Sequence, residues 1–173
     1  MIKMIGLWEI VEEDVKTGEI LNTQIVKNVL VNQLWPFYAQ ALSNGDTSDE
    51  RLFNAVKTSA PWGWSTDLKR YSAFAALGTS SDTPLISDTN LGHRDNRTIK
   101  KVNSITRIDR NVIYFAEWGL SYPQDTYLEA GIWEGSSNGK FNTSKLISHV
   151  KFNQPANKGE NIILRFKASI LTF

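Results

Sequence analysis

The sequence predicts a mainly β chain, an antiparallel β-sandwich of about eight strands with one amphipathic helix over about residues 28–43. Three observations carry this expectation. The segment 160–173 alternates, with Ile162, Leu164, Phe166, Ala168 and Ile170 set against Ile163, Arg165, Lys167, Ser169 and Leu171. Near-strict alternation is the mark of a strand with one buried and one mostly wet face. From Arg70 onward almost every apolar run is short and extended in pattern. Only Val29, Leu30, Leu34, Phe37, Tyr38 and Leu42 recur at helical spacing.

Taken in order, Ile5–Val11 reads as a strand, with Leu7, Glu9 and Val11 opposite Trp8 and Ile10. The polar run 12–18 ends in Gly18 and suits a hairpin loop. Residues 19–26 return with Ile20, Asn22, Gln24 and Val26 on one face, completing a hairpin over 5–26. The helix follows, capped by Asn28 and stopped at Asn44-Gly45. Pro36 either kinks it or splits it in two. Residues 46–69 form a long irregular insertion. Tyr71–Leu77 is a short strand ending at Gly78, and 79–92 is a long Ser-, Thr- and Asp-rich connection. In Arg97–Asp109 the apolar residues Ile99, Val102, Ile105 and Ile108 sit three apart, which predicts a bulge or an edge strand. Val112–Leu120, Tyr127–Glu134, Leu146–Phe152 and 160–173 supply the remaining strands, with loops at 135–139 and 154–159. At roughly 100–200 residues per domain, 1–173 is one domain.

Composition narrows the function. The 173 residues are 41% hydrophobic and 21% charged, too apolar for a disordered chain and too polar for a membrane protein. The longest apolar runs fall far short of the ~20 residues a spanning helix needs, and no signal peptide is expected at Met1–Glu9. A formal charge of +1 supplies no global field for nucleic acid or anionic lipid, so neither is an expected partner. The absence of cysteine excludes disulfides, thiolate metal sites and cysteine nucleophiles.

The candidate chemistry is sparse. His93 and His149 are the two histidines and lie in no metal-binding spacing; His93 is expected on a loop and His149 on the wet face of a strand. No G-x-S-x-G motif supports a serine nucleophile. Glu117, Glu129 and Glu134 could supply the paired carboxylates of a glycosidase, against a preferred reading as surface ion-pair residues. Residues 46–50 lack the glycine and terminal glutamate of a calcium loop. The segment 93–101 holds Arg94, Arg97, Lys100 and Lys101, a patch for an acidic partner or a protective edge-strand device. Pro61-Trp62-Gly63-Trp64 places two tryptophans on a loop. They serve as a sugar-stacking platform, as an anchor in a neighbouring subunit, or as a lid folded over the core. No catalytic residue, cofactor or metal is expected.

The order of segments from 71 to 173 resembles a widespread family of small tailed-bacteriophage virion proteins. Its members are tail-collar and tail-fibre attachment domains and head-associated fibre or decoration proteins. The resemblance rests on Ala76-Leu77-Gly78-Thr79-Ser80-Ser81-Asp82-Thr83-Pro84, then Ser87-Asp88-Thr89-Asn90-Leu91, then Tyr127-Leu128-Glu129-Ala130-Gly131-Ile132-Trp133, then Leu146–Phe152 and the alternating C-terminal strand. Asn28-Val29-Leu30-Val31 departs from the family's helix start by lacking its glycine, and the hairpin at 5–26 and the insertion at 46–69 are additions. The resemblance implies a non-enzymatic structural protein, assembled in the bacterial cytoplasm into a virion. Its partners would be capsid, portal or collar, tail or fibre proteins and further copies of itself. The alternative is a carbohydrate- or receptor-binding adhesin.

Overall fold

The protein's structure, a computed structural model, describes residues 4–31, 73–108, 111–134 and 140–172. Strand β1 (Met4–Asp14) buries Trp8 and Ile10 and turns back through Gly18, whose φ of 70° suits the turn. The Asp14 carboxylate accepts from the Lys16 N–H at 2.8 Å and the Asp14 carbonyl from the Gly18 N–H at 2.7 Å. Strand β2 (Glu19–Leu30) pairs with β1, but the register steps between Glu12↔Asn22 and Glu13↔Ile20. Leu21 is the extra residue of this bulge, and it inverts the alternation. Gln24 and Val26 therefore face inward as expected, whereas Ile20 does not.

A helix does not open at residue 28. Asn28, Val29 and Leu30 continue β2, and Val29 and Leu30 pair with His149 and Ser148. Their apolar character suits either period, and the neighbouring strands decide it. The rest of the expected helix, 32–43, and the insertion at 46–69 lie outside the described residues.

The remaining strands are β3 (Phe74–Gly78), β4 (Lys100–Lys101), β5 (Ser104–Ile108), β6 (Asn111–Trp118), β7 (Asp125–Glu134), β8 (Lys145–Lys158) and β9 (Ile162–Thr172). They form one antiparallel sheet, ordered β4-β3-β7-β8-β2-β1-β9-β6-β5, curled into a half-barrel. β4 and β5 lie on opposite edges yet are separated only by Val102 and Asn103. At this step the Val102 N–H donates to the Ala73 carbonyl at 3.0 Å and the Asn103 N–H to the Phe115 carbonyl at 2.7 Å. The three-residue spacing in 99–108 thus marks a chain that changes partners at a corner.

The inner face carries the main core. Phe166 on β9 meets Trp8 at 5.7 Å, Trp118 at 4.9 Å and Phe152 at 5.4 Å between ring centroids. On β9, Leu164, Ala168 and Ile170 share that face, as the alternation predicts. β8 runs on to Lys158, through residues read from sequence as a loop. β2 pairs with β8 at only two residues, and beyond them Gln24 takes over. Its side-chain oxygen accepts from the N–H groups of Asn153 (3.0 Å) and Gln154 (3.2 Å), and its amide donates to the Gln154 carbonyl at 2.9 Å. Glu12 likewise accepts from the Asn157 N–H at 3.3 Å. The opposite face of β3, β7 and β8 is covered too: Phe74, Ala76, Trp133 and Leu146 pack with Val31 and Leu91, and Phe141 lies against them.

Candidate functional site

Strand register lines up Ala76, Gly131, His149 and Val29 across four strands on this covered face. The next row holds Gly78, Glu129 and Lys151. The small residues in these rows leave room above the sheet: Trp133 and Leu146 close over Gly131, and the long segment 79–95 passes over Gly78. A Cβ on Gly78 would lie 2.4 Å from Glu129 Oε1 and 2.8 Å from the His93 carbonyl oxygen, so only glycine admits that approach.

Three ionisable side chains meet beneath the loop. His149 is 3% exposed, which corrects its expected place on a wet strand face. The reason is non-local: the loop covers a face that local alternation alone would leave to water. Its Nδ1 lies 2.7 Å from Asp88 Oδ2 and its Nε2 lies 2.8 Å from Glu129 Oε2. Carboxylates only accept, so a ring bonded to one at each nitrogen donates from both and is an imidazolium.

Glu129 is fully engaged. Oε1 accepts from the N–H groups of His93 (2.8 Å) and Ser80 (3.3 Å). Oε2 accepts from the Gly92 N–H at 3.0 Å as well as from His149. Four donors occupy the roughly four lone-pair sites of one carboxylate. Burial alone would raise the Glu129 pKa, but the bonds from His149 and from the His93 and Gly92 backbone outweigh it and hold the carboxyl below its ordinary range. Burial likewise works against the charged imidazole, yet the bonds to Glu129 and Asp88 raise the His149 pKa.

Asp88 does two jobs. Besides His149, its Oδ2 accepts from the Leu85 N–H at 2.8 Å, and its own N–H donates to the Leu85 carbonyl at 3.1 Å. This closes a turn whose apex, Leu85 and Ile86, is 58% and 60% exposed. The loop is pinned again at its far end. The Arg94 guanidinium lies 4.7 Å from the centre of the Phe141 ring and donates to Asn90 at 2.7 Å and Asn96 at 2.9 Å.

The expected basic patch separates into internal contacts. Arg97 forms a two-point pair with Asp95 at 2.9 and 2.8 Å. Lys100 donates to Asn103 at 2.8 Å and lies over the Trp118 and Tyr122 rings, and burial lowers its pKa. Lys101 is exposed on the short edge strand β4, where lysine guards against edge pairing. Pro61, Trp62 and Trp64 lie outside the described residues. Of the carboxylates, Glu117 pairs with Arg165 at 2.8 Å and Glu129 is buried, while the Glu134 side chain is outside the description. His93 is exposed on the loop as expected.

Sequence reasoning missed the Asp88–His149–Glu129 cluster, because its members are 20 to 61 residues apart. The available signal was the row of Ala76 and Gly131 beside His149, too small for a bare sheet face. It also missed the apolar side chains that β2 leaves in solvent. Ile25 is 66% exposed, and Ile20 and Leu21 are about half exposed. Leu21 and Asn22 help line a cleft of about 610 Å³, together with Gln154, Pro155 and Asn157 of β8 and Ile162 of β9.

No protein-family description matches the sequence, no curated protein matches it, and no solved structure matches it.

Proposed function

We propose that the chain is a non-enzymatic structural protein of a tailed-phage virion, acting through protein–protein contacts on the capsid, collar or tail. The observation that carries the contact role is the apolar surface of β2. Ile20, Leu21 and Ile25 stand in solvent on a strand that pairs with β8 at only two residues. Exposed apolar side chains grouped on one strand are what a neighbouring chain covers. Among the described residues every large exposed apolar side chain is aliphatic. That favours protein contact over sugar stacking, which uses ring faces. The rival adhesin reading therefore rests on Trp62 and Trp64. The two wings of the half-barrel, packed about one core, are in this reading the two layers of a sandwich joined at β2.

The test is quantitative mass spectrometry of purified virions from the source phage. Hundreds of copies per particle place the chain on the shell, and about three to eighteen place it at a collar, tail or fibre, as closed symmetries allow. Ile25→Lys is expected to leave the circular dichroism spectrum unchanged and to cut incorporation at least about tenfold, as loss of a central apolar contact does. Absence of the wild-type chain from particles overturns the proposal. A glycan screen with Trp62→Ala as control then tests the adhesin.

A further inference from the structure

We propose that the turn Pro84–Asp88 is held down by a proton latch: protonated His149 donates from both ring nitrogens, to Glu129 beneath it and Asp88 above it, and losing that proton frees the turn.

The argument is geometric first. A neutral imidazole carries one N–H, so it can satisfy one of the two carboxylates, and its bare nitrogen then faces the lone pairs of the other. The two carboxylates are not equal. Glu129 is buried and tied by three backbone N–H groups, whereas the Asp88 side chain is 22% exposed and sits on the loop. The remaining N–H stays with Glu129, and Asp88 is the partner that can turn to water. With it goes the acceptor of the Leu85 N–H, and so the turn that holds out Leu85 and Ile86.

The charges around the ring are of both signs, and its two direct partners are acidic. From β7 comes Glu129 and from the loop Asp88, with Asp82 and His93 flanking Gly92. From β8 comes Lys151, two residues on along the same face. β2 offers Val29 opposite the ring, with Lys27 two residues before it, and β3 offers the apolar Ala76. The raised His149 pKa means that its contribution is complete below the ordinary 6.5 and disappears as pH climbs through the folded-state value. The lowered Glu129 pKa means that its contribution is complete above the ordinary 4.5 and disappears as pH falls through the folded-state value. The latch is fully closed between those two ordinary values and opens on the alkaline side at the His149 midpoint.

The experiment is an NMR pH titration of the full chain. His93→Gln leaves His149 as the sole histidine signal, because the sequence has two. The expected result is a His149 midpoint above 6.5. The Leu85 and Asp88 amide signals should move with the same midpoint. Solvent exchange of these two amides, corrected for pH, should rise about tenfold through it, as local opening allows. The Gly92 and His93 amides on Glu129, and the β1 and β9 amides, should stay protected. Asp88→Asn should lower the His149 midpoint by about one pH unit or more. A midpoint at or below 6.5, a turn indifferent to the His149 titration, an unmoved midpoint in Asp88→Asn, or a proton kept until the sheet melts would each overturn the proposal.

Discussion

Glu129 shows how one side chain can organise a loop. Its carboxylate replaces the strand partner that Gly92 and His93 lack, and it does so from the interior, where an unmatched charge is costly. Glu129→Gln would turn one acceptor into a donor facing N–H groups and leave His149 without its buried counter-charge. We expect a loss of about 3–5 kcal/mol in urea unfolding, the range for breaking a buried ion pair. Gly78 fails differently. A methyl group there meets both the Glu129 carboxylate and the His93 carbonyl, so Gly78→Ala should cost about 1–3 kcal/mol through overpacking. The two variants separate by titration. Glu129→Gln removes the buried counter-charge and should lower the His149 midpoint, whereas the clash at Gly78 removes no charge.

Among elements, the seam between β2 and β8 is the least conventional. Two strands that share two register pairs are kept together by the side chains of Gln24 and Glu12, which stand in for peptide groups. Gln24→Ala removes three hydrogen bonds at once and should cost about 1–3 kcal/mol. The exchange of the Asn153 and Gln154 amides should quicken before that of β7. Gln24→Glu keeps both acceptor bonds but sets a carboxylate oxygen against the Gln154 carbonyl, so it should cost at least as much as alanine. This seam also explains a misreading. Asn153, Gln154, Pro155 and Asn157 have loop composition, and no local pattern says that a glutamine 130 residues away completes their strand.

At the scale of the molecule, Phe166 ties the wings together, touching rings from β1, β6 and β8. Phe166→Ala should cost about 3–5 kcal/mol. Near- and far-ultraviolet circular dichroism should still report one shared midpoint, because both wings lean on the same ring. What was legible in the sequence follows the same division. β9 could be read residue by residue because its two faces differ in chemistry all along. β1 and the odd spacing at 99–108 were legible for similar reasons. The burial of His149, the extension of β2 through Leu30 and the strand character of 154–158 were not, since each depends on what packs alongside from a distant part of the chain.

The two-residue step between β4 and β5 has a consequence in time. β4 pairs with β3 at one rim and β5 with β6 at the other, so Val102 and Asn103 can take their places only once both wings have formed. β1 must first find β9, pairing Met4 with Thr172 and Asp14 with Ile162. Chains that wait on such distant pairings fold in milliseconds to seconds, not microseconds. The corner at 102–103 is thus among the last pieces to settle. Until it does, the β3 rim has no β4 to cover it and is open to any other nascent chain nearby.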